Sequence, residues 1–283
     1  MISGEFIGRE RRLTSPWCWI REDAAELSDA LRAGPPGADS GQELLWRTKN
    51  KYVLRVKTAS GLDLACKWYV RVRQAPYSFS WTLAAKEAYN FKRLSRIGLP
   101  LVKLVAAGED RGFLYIRNCF LITEFAEGFS DGRCFCFSNS YDIALYDEFT
   151  RRNLILVARM HDAGFWHGGF SPMNALMRKL PEPDAEGNQL EIRWIDVATC
   201  HRSQGWFLKR RIVNDLCNYL RFCSFTQEER REYLRIYLDA AQVKRFELDS
   251  LCEGVEKALA ARMRREMAKS AKKDRKQKNA ANG

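Results

Sequence analysis

Histidine is scarce in this chain, with three residues in 283. None stands with Cys or Glu at the spacing of a tetrahedral zinc site, and the nine cysteines contain no CxxC pair, so a protein-ligated transition metal is not expected. Cysteine is also too sparse for a disulfide-stapled secreted domain, and these residues read as buried thiols in a reducing compartment. No run approaches the roughly 18 apolar residues of a membrane-spanning helix. The opening MISGEFIGRERRL has no apolar core of signal-peptide type, which points to a cytoplasmic protein.

What is present is a globular composition, 46% apolar, with an uneven charge. From Lys257 onward ten Lys/Arg face two acids, a net +8 of the chain's total of +12. Such a tail reads either as a solvated charged helix or as a contact for polyanions, since each cation near an anionic surface is worth about 1 kcal/mol. It lacks the interleaved aromatics of a nucleic-acid interface, and nucleic acid is not expected as a partner.

Residues 1–42 read as a leader ending in RAGPPGADSG, a stretch that punctuates rather than packs. LLWRTKN, KYVLRVKTA and LDLACKWYV then read as three antiparallel strands, with Ala59-Ser60-Gly61 turning between the last two. SWTLAAKEAYNFKRLSRIG has helical spacing, with Leu83, Ala84, Glu87, Phe91 and Leu94 on one face and Gly98-Leu99-Pro100 as the stop. LVKLVAAG, GFLYIRN and CFLITEFA read as extended runs. YDEFTRRNLILVARMHDAGF is a helix capped by Gly164, NALMRKL and LEIRWIDVATC are short strands, and the last third is helical.

Four polar residues stand where packing does not ask for them: Lys67 on the third strand, Glu87 on the next helix, Asn174 in a loop after the long helix, and Asp196 ending RWID. Singly each has a bland explanation, such as an edge-strand lysine, a member of a helical charge pattern, or a strand-end acid bonding local amides. Their order is that in which kinase-type folds present a phosphate-binding lysine, its positioning glutamate, a metal-binding asparagine and the principal metal-binding aspartate.

With ACKWY, KEAYNFKRLSRIGLP, LITEFAEG, ARMHDAGFWHGGFSPMNALM, IRWIDVA and KRRIVNDLCNYL, the chain resembles the lipopolysaccharide core kinases of Kdo/WaaP type from about Leu44 to Leu220. The resemblance implies an α+β, bilobal protein-kinase-like fold: a small β-rich N-lobe with one main helix over 43–128, a mostly helical C-lobe over 129–256, and a basic tail over 257–283. It implies that Lys67 holds the phosphates of ATP and Glu87 orients it, that Asn174 and Asp196 hold Mg²⁺, and that Glu124, Phe125 and Ala126 lie in the adenine-binding hinge. His167 would set the catalytic loop structurally, and the acid at Asp215, following Arg211, would brace that loop's backbone. The acceptor would be a lipopolysaccharide core or lipid-linked sugar, heptose or Kdo, met peripherally at the inner face of the cytoplasmic membrane. There the tail would touch anionic headgroups.

Two departures from the family pattern stand out. No G-x-G-x-x-G precedes Lys67, so phosphate cradling falls to Thr48, Lys49, Asn50 and Lys51. In HGGFSPMN the position of the catalytic aspartate is Gly169, with Ser171 the nearest hydroxyl and Asp162 further back. A general base contributes about 10²–10⁴-fold, roughly 3–5 kcal/mol, whereas phosphoryl transfer rests mostly on positioning and charge neutralisation. Both an active kinase and a nucleotide-binding pseudokinase that regulates envelope synthesis follow from this pattern.

Overall fold

The computed structural model describes residues 17–24, 27, 42–70, 82–111, 116–137, 142–223 and 225–281. The chain forms two compact units, the first comprising residues 1–130 and 192–200, the second residues 131–191 and 201–283.

The first unit is built on a six-stranded antiparallel sheet of order β1-β5-β6-β4-β3-β2. Its strands are β1 (Trp17–Ile20), β2 (Glu43–Arg47), β3 (Lys51–Lys57), β4 (Asp63–Tyr69), β5 (Leu104–Arg111) and β6 (Ile116–Glu124). Strand β4 alternates: Leu64, Cys66 and Trp68 enter a core with Ala24, Leu27, Val105, Ala106, Phe120 and Ile122. Lys67 and Tyr69 therefore share the opposite face, as a two-residue period requires. Tyr69 packs there with Ala84 and Cys119.

Two sequence expectations change. Part of the leader is structured: Trp17–Ile20 is an edge strand paired with Ala106–Glu109, and Ala24 and Leu27 are core residues. Four residues give too short a period to be read locally, and only pairing with β5 makes them a strand. The residues of IRN and CFLITE form a single strand, because Ile116 and residues 118–123 pair with β5 and residues 119–124 with β4.

Helix α1 (Leu83–Arg96) starts at Thr82, whose hydroxyl accepts from the Ala85 N–H at 3.1 Å, and lies against β5 and β6. It ends at Gly98, whose φ of +76° is the left-handed stop that glycine provides. Its buried stripe runs through Ala84, Glu87, Ala88, Phe91 and Leu94. Leu83, expected on that stripe, sits at its edge and is exposed.

Strand β7 (Ser130–Asp131) carries the chain into the second unit, which contains the short helix α2 (Arg133–Phe137), the long helix α3 (Ile143–Asp162), β8 (Phe165–Trp166) and β9 (Ala175–Lys179). Strand β10 (Leu190–Trp194) carries the chain back into the first unit, and β11 (His201–Arg202) returns it to pair with β8. Helices α4 (Gly205–Leu220), α5 (Gln227–Ala240) and α6 (Leu248–Ala281) follow. Asp142 caps α3 by accepting from the N–H groups of Ala144 and Leu145, and a reciprocal Thr226/Glu229 box opens α5. Phe149, Leu154, Val157 and Met160 of α3 are fully buried. Helix α6 packs on α4 and α5, with Leu251 and Val255 fully buried, and residues 263–271 are exposed. No helix among the described residues is long and apolar enough to cross a membrane.

Candidate active site

Within the first unit, Lys67, Glu87 and Asp196 meet. The ammonium of Lys67 donates to both Glu87 oxygens at 3.0 Å and to Asp196 Oδ1 at 2.6 Å. Glu87 is 1% exposed and Asp196 35%, so the cluster has one sealed and one open acid. The Tyr69 hydroxyl donates to Glu87 Oε2 at 2.9 Å. Burial disfavours the Lys67 charge, but the two carboxylates together outweigh it and hold its pKa above the ordinary 10.5. Burial pushes Glu87 up from its usual range against the pull of Lys67. Tyr69, driven upward by burial and then by Glu87, remains a phenol and a donor.

Asp196 is the only non-glycine among the described residues with positive φ, at +56°. Aspartate tolerates this region better than most residues, but at a cost that its surroundings must hold in place. They do so through the backbone. Trp194 N–H donates to Pro100 O at 2.7 Å and Val102 N–H to Trp194 O at 3.2 Å, while Asn90 of α1 donates its amide to the carbonyls of Val197 and Cys200. Asn90 lies one turn beyond Glu87, so one helix orients the lysine's partner and clamps the aspartate's loop.

The turn joining β2 and β3 closes on itself. Thr48 N–H donates to Lys51 O at 2.7 Å and Asn50 N–H to Thr48 Oγ1 at 3.4 Å, while the side chains of Thr48, Lys49 and Asn50 are exposed. Lys51, at the start of β3, extends over the Trp46 ring at 4.8 Å and reaches Asp196 Oδ2 at 3.7 Å. A second ammonium thus stands at Asp196, a pairing that sequence spacing does not reveal.

In the segment after β6, the N–H groups of Glu124, Phe125 and Glu127 donate to Lys103, Asp63 and Phe125 carbonyls. The Glu124 carboxylate pairs with Arg21 at 2.8 Å, and the Arg55 guanidinium covers the Phe125 ring at 4.0 Å.

Within the second unit, His167, Gly169, Ser171 and Asn174 share one loop. Asp215, fully buried on α4, accepts from the N–H groups of His167 at 2.6 Å and Gly168 at 2.8 Å. Behind it His161 sits between Asp215 (Nε2 to Oδ2, 3.4 Å) and the Tyr237 hydroxyl (Nδ1, 3.0 Å), tying α3, α4 and α5 to the loop. Gly168 has φ +75°, a conformation that suits glycine at this turn. His167, 1% exposed, accepts from the Gly169 N–H through Nδ1 at 3.3 Å, and Phe170 stacks on Tyr219 with ring centroids 4.6 Å apart.

Asn174 donates its amide to Gly169 O at 2.8 Å, which commits Nδ2 and makes Oδ1 the amide's remaining polar atom. An amide oxygen of this kind and, in the first unit, the Asp196 carboxylate are each hard donors of the type that Mg²⁺ prefers, so the donor chemistry of each fits. Ser171 is 8% exposed and its carbonyl closes the turn to Asn174. Asp162 faces away from this chemistry: its oxygens accept from the Gln242 and Val243 N–H groups and pair with Arg245 at 2.9 Å.

Tyr69, Asn90 and His161 were not singled out from sequence as site residues, and Lys51, named there for the phosphate cradle, was not expected to pair with Asp196. Tyr69 is two residues from Lys67 on a strand and Asn90 three from Glu87 on a helix, so same-face periodicity was the available signal for those two. Lys51 and His161 act through long-range contacts that no local spacing encodes.

Among solved structures, the chain is similar to WaaP in complex with acyl carrier protein, with 18% identity and a TM-score of 0.61 over 89% of this chain and 98% of that one. The kinase domain of BubR1 matches at 15% identity and a TM-score of 0.48, over 77% and 79% of the two chains. No curated protein sequence matches the chain. The model of the lipopolysaccharide kinase (Kdo/WaaP) family matches residues 70–237, more than half of the sequence, and the fold is protein-kinase-like. The chain belongs to the lipopolysaccharide kinase (Kdo/WaaP) family.

Proposed function

We propose that this protein transfers the γ-phosphoryl group of ATP to a sugar hydroxyl, on heptose or Kdo, of the lipopolysaccharide inner core. The observation that carries the reading is the Lys67 ammonium held between Glu87 and Asp196. A lysine so fixed and so firmly charged has a job in binding phosphate oxygens, and Glu87 with Tyr69 keeps it aimed. Lys51 supplies a second cation in place of a glycine-rich cradle. Asp196 and Asn174 would hold Mg²⁺, which when bound neutralises phosphate charge. In the segment after β6, Ala126 would offer its N–H to the adenine.

During transfer the acceptor oxygen bonds to the γ-phosphorus, the bond to the β–γ bridging oxygen breaks to release ADP, and the hydroxyl proton passes to solvent water. With Gly169 in the catalytic loop no carboxylate stands at the usual position for that proton, and Ser171 is assigned to orient the acceptor by hydrogen bonding. The reaction then relies on cations and positioning, which carry most of the effect in a loose transition state.

A second reading is favoured by Gly169 together with the engagement of Asp162 elsewhere: a pseudokinase that binds nucleotide and regulates envelope synthesis. The net charge of +8 over residues 257–283 supports, for either protein, a peripheral position at the cytoplasmic face of the inner membrane. WaaP was solved with acyl carrier protein, and a carrier of that kind is a candidate partner here.

The deciding experiment combines two measurements. Core oligosaccharide from cells with and without the protein is compared by mass spectrometry for one phosphate, and labelled ATP is offered to the purified chain with that oligosaccharide. Transfer that disappears in Asp196→Asn supports the kinase. A thermal shift with ATP and Mg²⁺ without any transfer supports the pseudokinase, and neither signal rejects both.

A further inference from the structure

The first turn of α4 presents two adjacent aromatics to solvent. Trp206 is 64% and Phe207 67% exposed, their rings in edge contact at 5.2 Å. They are not stray core positions, because the same helix buries Leu208, Ile212, Leu216 and Tyr219 on another stripe. Two large neighbouring rings left in water call for a partner.

Their surroundings are cationic. Lys209, Arg210 and Arg211 on the next turn and Arg202 just before the helix are all exposed, and the first turn carries no acid. The guanidinium of Arg210 lies 5.9 Å from the Trp206 ring and that of Arg211 4.4 Å from Trp166. Four residues span about 6 Å of helix, which sets the cations one turn behind the aromatics. That is the layering of a bilayer interface, with rings at the acyl boundary and Lys/Arg at phosphate level.

We propose that this turn of α4 is a docking wedge for an anionic bilayer, separate from the basic end of α6. A protein partner would need an apolar pocket ringed by acids, whereas an anionic membrane supplies both features along its whole surface. The inference is independent of the catalytic reading, because binding needs neither ATP nor acceptor.

The test uses the full chain and vesicles of phosphatidylcholine with and without phosphatidylglycerol, without nucleotide. Wild type should float with the anionic vesicles. Trp206→Ser/Phe207→Ser should weaken that partitioning at least about tenfold, with an unchanged thermal midpoint because both side chains are exposed. Lys209→Glu/Arg210→Glu should lose the preference for phosphatidylglycerol. Brominated lipid should quench the fluorescence of wild type, and Trp206→Phe should keep binding while losing much of the quenching. Equal partitioning of wild type and Trp206→Ser/Phe207→Ser would overturn the proposal, leaving residues 257–283 as the membrane contact or an acidic protein as the occupant of α4.

Discussion

The hydroxyl of Tyr69 donates to Glu87 Oε2 at 2.9 Å, and both groups are buried. The bond helps keep an ionised carboxylate inside the unit, so that Glu87 can hold Lys67 rather than take up a proton. Tyr69→Phe should lower stability by about 1–3 kcal/mol, the cost of a buried charged acceptor losing a donor. Calorimetry or a denaturant midpoint measures it, and an unchanged midpoint would show that water replaces the hydroxyl.

Removing the cation is more severe. Lys67→Met leaves Glu87 buried beside an apolar chain, and the expected loss is about 3–5 kcal/mol. Lys67→Met/Glu87→Gln should recover a large part of that stability while remaining unable to bind nucleotide tightly. The pair of unfolding curves separates the structural role of the lysine from its phosphate role.

Lys51 offers a milder test of the same cluster. Its side chain is 26% exposed, so Lys51→Met should barely move the thermal midpoint. Its loss should instead weaken binding of ATP by about tenfold, in keeping with one missing charge-assisted contact. Isothermal titration reads this directly, and unchanged affinity would remove Lys51 from the phosphate site.

Asp215 supports two loop N–H groups from a fully buried position. Asp215→Ala should cost about 1–3 kcal/mol for each orphaned donor. Amide exchange at His167 and Gly168 should accelerate ahead of the helices, while uniform acceleration would mean that the whole unit loosens.

Acid should act on the sheet through Asp63. Arg55 donates to Asp63 through Nε at 3.0 Å, and this hydrogen bonding holds the Asp63 carboxyl below its ordinary 3.8. A depressed acid contributes stability that is present above that value and lost as pH falls through the lower folded-state pKa. Asp63→Asn should lower the neutral plateau modestly and flatten the fall below about pH 4, so that wild type and variant converge in acid. A slope that persists in the variant would assign the acid sensitivity to other carboxylates.

Sequence alone determined the elements whose chemistry is local. The β4 run, the Gly98 stop of α1 and the long apolar face of α3 are written in consecutive residues, because hydrogen bonding and side-chain direction repeat over a few positions. The order Lys67, Glu87, Asn174, Asp196 was legible for the same reason, as each sits at a recognisable place on its element. What only the tertiary structure decided were contacts between residues far apart in the chain: the edge strand Trp17–Ile20, the approach of Lys51 to Asp196, the engagement of Asp162, and the tie from Tyr237 through His161 to Asp215. Such contacts depend on which faces are buried together, and burial is a property of the packed whole rather than of any window of sequence.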